Sequence, residues 1–286
     1  MTDSGRRAEQ HFYLTELLAA LHAGLVGVLT AYIDESEQAK LQVFAIGGYV
    51  FDRSGQRLFE WKWKRALKSK GLSRFHMTDF ESGWGEFKGW SEKDRHQFFA
   101  RIVEIIKSTS LIEFSVAIDL DAFSTLSADD RVTLNNPTAY SLCLETSFAK
   151  IAQRVRSLPN PEPVAYIANR VSRGAGKDRI TAAWDVYSRL DMKEEYRLGS
   201  MSWGDSRLIP HLQAADIWAY EIAKAVTTRI GRSDRPIRES IKMLAHQSPE
   251  KRLNLFIGAE ELRQKVEGVR LMENRYGGGF TVQGPS

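Results

Sequence analysis

The chain has 286 residues, 43% hydrophobic and 27% charged, which excludes a disordered chain and allows one large domain or one domain with an appendage. A net charge of +4 and a pI near 9.1 suit a polyanionic partner, because basic side chains gain free energy by displacing phosphate counterions. The single cysteine, Cys143, excludes an internal disulfide and a thiolate metal cluster, and it fits a reducing, cytoplasmic compartment.

Residues 17–33 carry no Asp, Glu, Lys or Arg and follow Arg6-Arg7, so a membrane segment has to be weighed. His22, Gly24 and Gly27 interrupt the stretch, and it falls short of the roughly 20 residues of a spanning helix. It reads instead as an amphipathic helix over 9–22 and a buried Val- and Leu-rich strand over 25–33, with no membrane partner. Asp34-Glu35-Ser36-Glu37 is then a polar stop, and 41–51 (LQVFAIGGYVF) is a second strand in an antiparallel hairpin.

A basic, aromatic helix follows over 59–70 and ends at Gly71, and 75–90 reads as a structured loop. Ser91, with Asp94 three residues on, opens a helix over 92–109. Next come a strand over 111–120 and a helix over 140–156 with the stripe Leu144, Phe148, Ile151, Val155. A short strand over 164–168, a helix over 180–190, an edge strand over 196–203 and a helix over 211–229 complete the pattern. The order predicts a mixed α/β sheet covered by helices. An N-terminal helix over 1–23 would precede the domain over 24–230, with a helical extension and flexible tail over 231–286.

Two carboxylates look out of place. Asp34 ends a strand that is apolar on both sides, where ligands collect in α/β sheets; the competing reading is a simple turn. Alternation sends Asp34 and Glu35 to opposite faces, which favours Asp34 as a ligand. Asp216 shares the inward stripe Leu212, Ala215, Ala219, Ala223, and a buried charge there needs a basic partner or a metal. Gln213, one turn earlier, could hydrogen-bond a ligand or water.

Glu145 borders an apolar stripe, as a third ligand or a solvated charge, and Asn169 ends the 164–168 strand with an amide oxygen that can bind Mg²⁺ weakly. His76 and Asp79 offer acid–base or positioning groups, although packing or capping explains such a pair more often than catalysis does. Lys62, Lys64 and Arg65 interleave with Trp61 and Trp63, as in a nucleic-acid-facing helix or a solvated face. Arg170, Arg173, Lys177 and Arg179 form a second basic cluster.

The segments YIDES, FAIGG, FHMTDF and LQAADIWAY together resemble the domain of unknown function 3800 family, regarded as a distant relative of the ribonuclease-H-like superfamily. The resemblance runs from about Tyr32 to about Tyr220. It implies a mixed sheet of about five strands with acids on the first strand, a middle strand and a late helix. Asp34 and Asp216 match the first and the last of these. In such nucleases the acids hold two Mg²⁺ ions that activate a water and stabilise the leaving oxygen. The strand after the central helix often ends in Asp in that family, and here it ends in Asn169.

The function expected is a nuclease acting on RNA or DNA with Mg²⁺ or Mn²⁺. Asp34 and Asp216 would be ligands, Glu145 and Asn169 would complete the shell, and Glu35 or His76 would orient water or move a proton. The alternatives are a degenerate nucleic-acid- or protein-binding module, in a phage-defence or mobile-element system, and a hydrolase of small phosphoesters. The partner expected is nucleic acid, with a homodimer left open.

Overall fold

The first three strands form a meander. β1 (Leu29–Gln38) pairs antiparallel with β2 (Val43–Asp52), and β2 pairs antiparallel with β3 (Ile112–Asp119). β4 (Val164–Asn169) adds parallel to β1, and β5 (Leu198–Gly204) parallel to β4. The computed structural model describes residues 29–134, 136, 138–159, 161–169, 190–246 and 248–276. The helices expected over 9–22 and 180–190 fall outside them, the second but for its last residue.

A sixth strand, β6 (Arg252–Ile257), pairs parallel with β3, so the sheet order is β5-β4-β1-β2-β3-β6. Among the described residues the sheet therefore has six strands, against the expected count of about five. The extra strand comes from the segment read as a helical extension. Its side chains are largely half-exposed at the sheet edge, so it lacks the continuous apolar run that marks a buried strand.

Ten helices accompany the sheet among the described residues: α1 (Arg53–Lys68), α2 (Met77–Ser82), α3 (Glu92–Thr109), α4 (Leu120–Ser124), α5 (Ala128–Thr133), α6 (Ala139–Arg156), α7 (Leu190–Glu195), α8 (Pro210–Arg229), α9 (Glu239–Leu244) and α10 (Ala259–Tyr276). Their starts have local causes. The Asp52 carboxylate takes the Gly55 N–H (2.6 Å) at α1, and the Ser91 hydroxyl takes the Asp94 N–H (3.1 Å) at α3. Thr138 and Ser141 form a capping box at α6, and Pro210 occupies the first turn of α8.

The sheet separates two cores. On one side α6 and α10 cover Leu29, Ala31, Ile33 and the apolar residues of β3 and β4. On the other, α1, α3 and α8 cover Tyr32, Val43, Ala45, Tyr49 and Phe51. Cys143 lies in the first core, where burial pushes its thiol pKa up and keeps it unreactive. Among the described residues no helix is long and apolar enough to cross a membrane.

Candidate functional site

β1 does not stop at Asp34. Its ladder with β2 continues to Gln38, because residues 34–38 pair with 43–47 despite their polarity. The pairing with β4 does end here, at Ile33 opposite Ala168. Asp34 therefore stands just past the point where the β1–β4 ladder ends. Alternation sends its side chain to the α8 face, while Glu35 turns to the α6 face and bonds Tyr140.

α8 comes very close to the sheet at this point. Leu212, Ala215, Ala219 and Ala223 are fully buried along its inward stripe. Gly47, the ladder partner of Asp34, lies beneath Ala219: a Cβ at Gly47 would stand 3.0 Å from the Ala219 backbone. Small residues on both sides thus bring Asp216, one turn before Ala219, beside Asp34.

The two carboxylates perturb each other. Burial raises the pKa of Asp34 well above the ordinary value of 3.8, and the neighbouring Asp216 raises it further; the Glu35 N–H (2.9 Å) and Asn169 Nδ2 (3.1 Å) oppose this. Burial also raises Asp216, offset in part by the Met77 N–H (2.8 Å) and by the charge of His76. Among the described residues neither carboxylate forms an ion pair with Lys, Arg or His.

Gln213 spends its oxygen and one of its two N–H donors on the protein itself. Its Oε1 accepts the Trp63 indole N–H and the Phe75 N–H (both 2.9 Å), and its Nε2 donates to the Ser206 carbonyl (2.7 Å). Gln213 and Asp216, three residues apart on α8, thereby hold alternate amides of the Phe75-His76-Met77 segment. His76 is carried between them. Its Nδ1 lies 3.0 Å from Asp79 Oδ2, and an Arg74 Nη lies 3.4 Å from the same oxygen. These residues line a cavity of about 310 Å³ with Ser73, Glu86 and Phe87.

The Asn169 amide is turned by its neighbours. The Ser206 N–H donates to its oxygen (3.2 Å), so its nitrogen faces Asp34 as a donor. In this arrangement Asn169 steadies the Asp34 carboxylate instead of offering an oxygen to a cation. Glu145 is held by Asn136 Nδ2 and the Tyr196 hydroxyl (3.1 Å) on the α6 side. Among the described residues no three His, Cys, Asp or Glu side chains converge as a metal cluster, so Asp34 and Asp216 come together without Glu145.

Asp205, just past the end of β5, escaped the sequence reading. Burial would raise its pKa, but hydrogen bonds from Arg207, with the charges of Arg207 and Arg74, hold it below the ordinary value. The only signal for it was a carboxylate just after an edge strand. His211 is a different case. Burial lowers its pKa to about 4 and its ring stacks on Tyr32 (4.3 Å between centroids), so it packs as a neutral ring beneath the site.

The α1 cations sort by neighbour. Lys64 pairs with Glu60, Lys62 reaches Ser108 (3.3 Å), and Arg65 lies over the exposed Trp61 ring (5.3 Å), while Trp63 is buried. Arg170, Arg173, Lys177 and Arg179 lie outside the described residues. A comparison with known protein families finds no match to this chain, and neither does a comparison with curated proteins.

Proposed function

We propose that this chain is a ribonuclease-H-like, divalent-metal-dependent phosphodiester hydrolase acting on RNA or DNA. The observation that carries the proposal is the Asp34–Asp216 pair: two half-to-fully buried carboxylates side by side, with no cationic side chain paired to either among the described residues. Unpaired buried charge costs several kcal/mol, and a divalent cation removes that cost for both groups at once.

The donor set fits Mg²⁺ or Mn²⁺. Mg²⁺ is commonly held by one or two carboxylates, keeps several waters, and takes substrate phosphate oxygens as its other ligands. When bound, such an ion supplies Lewis acidity and a water of lowered pKa. The chain's own residues do the rest. Asp34 and Asp216 hold the ion, Asn169 and the Glu35 N–H fix the Asp34 carboxylate, and the Met77 N–H fixes that of Asp216. His76, beside Asp79, is an acid–base group whose charge acts on Asp216, and Arg74, bonded to Asp79, brings a cation to the same segment. The acids on the first strand and on the late helix support kinship with the domain of unknown function 3800 family, β6 being added outside β3.

Assay of nucleic-acid hydrolysis with Mg²⁺ or Mn²⁺ tests the reading. Asp34→Asn and Asp216→Asn should each lose about a hundredfold or more of the activity, since several kcal/mol of transition-state stabilisation go with the ion. Equal rates in wild type and Asp34→Asn would sink it. The donor orientation of Asn169 favours a second reading, a binding module with a decayed site. Its signature is nucleic-acid binding with no Mn²⁺ binding at millimolar metal.

A further inference from the structure

We propose that Trp84 is a stacking platform for an unpaired nucleobase, and that the cavity beside it receives the adjoining part of a single-stranded nucleic acid; this rests on the hydrolase reading above. Trp84 is 75% exposed, the most exposed aromatic side chain among the described residues. Its backbone is nevertheless fixed. Its N–H donates to the Asp79 carbonyl (2.9 Å), and its carbonyl accepts the Phe87 N–H (3.1 Å). The segment around it is pinned by Phe80 and Phe87, buried with ring centroids 5.2 Å apart. A loop that buries Phe75, Phe80 and Phe87 holds this ring in water, on a rigid mount.

Gly85 and Glu86, which follow Trp84, and Asp79, whose carbonyl takes its N–H, line the cavity of about 310 Å³, near the low end of ligand-pocket sizes. The Glu86 carboxylate accepts the Ser73 N–H (3.0 Å) and hydroxyl (3.1 Å), tying the two walls together. Arg74 and His76 line the cavity, and the next residue, Met77, donates its N–H to Asp216. The cavity thus joins the neighbours of Trp84 to Arg74 and His76, and the chain continues from there to the amide that holds Asp216. Every base has a π-face, so a stacking ring with a cation beside it binds single strands with little sequence preference. A duplex keeps its bases stacked and offers Trp84 nothing.

Binding is read by fluorescence anisotropy with labelled oligo(dT), oligo(U) and a blunt duplex, in chelator so that nothing is cut. Trp84→Ala should weaken single-strand binding roughly tenfold, with duplex binding unchanged, and Trp84→Phe should keep most of the affinity. The substitution is at the surface and leaves folding intact, which circular dichroism checks. Wild-type affinity in Trp84→Ala, or equal losses for single strand and duplex, would overturn the platform. Trp84-dependent binding of oligonucleotides that stay uncut with Mg²⁺ or Mn²⁺ supports the platform and overturns the hydrolase. A wild type that binds neither polymer overturns both.

Discussion

At Asp34 and Asp216 the folded chain holds protons more tightly than the unfolded chain does, because burial raises both pKa values above 3.8. The sign of the linkage follows: the pair's contribution to metal-free stability is fully present below the ordinary carboxylate range and is lost as pH rises through the raised values. Mn²⁺ should reverse that loss, since it takes the place of the proton. Asn169→Asp sharpens the contrast. A third carboxylate in place of a donor to Asp34 should lower the metal-free melting temperature near neutral pH and tighten Mn²⁺ binding. Thermal melts across pH, with and without Mn²⁺, check both. A variant as stable as wild type without metal would mean that position 169 does not share the field of the pair.

At the scale of elements, the site depends on how closely α8 lies on β1 and β2. Gly47 and Ala219 set that distance, and a side chain at Gly47 has no room. Gly47→Val should cost about 1–3 kcal/mol by overpacking, read as a lower urea midpoint, and should weaken Mn²⁺ binding by moving Asp216 from Asp34. Unchanged metal affinity in a destabilised Gly47→Val would show that α8 spacing does not position the pair. Much of this level was legible in the sequence. The α3 boundaries follow from the Ser91 cap and a clean apolar period, and the α8 stripe of Leu212, Ala215, Asp216 and Ala219 reads directly as an inward face. The continuation of β1 past Asp34 was not legible. Its polar residues 34–38 look like a turn, and only their pairing with β2 makes them strand. Gln213 shows the same limit. Its polarity marks a buried hydrogen-bonding group, but its partners come from 63, 75 and 206, which only the fold brings together.

For the whole molecule, the sheet divides labour between its faces. The α6 and α10 side holds an apolar core with Cys143, and the α8 side carries the carboxylate pair, the His76 segment and the basic face of α1. Which carboxylates share a face follows from alternation, so the separation of Asp34 from Glu35 could be read in advance. Whether Glu145 joins them depends on the reach of α6 around the sheet, and its bonds to Asn136 and Tyr196 hold it there. Asn169 depends on two neighbours at once. The ladder carries it beside Asp34, and Ser206 sets which way its amide turns.

Calorimetric titration of Mn²⁺ into the metal-free chain, beside Asp34→Asn and Asp216→Asn, tests the carboxylate pair most directly. Binding by millimolar metal in wild type, lost in both variants while their folds persist, is the predicted result. No binding in wild type, or the same binding in all three, would contradict a metal site built on Asp34 and Asp216.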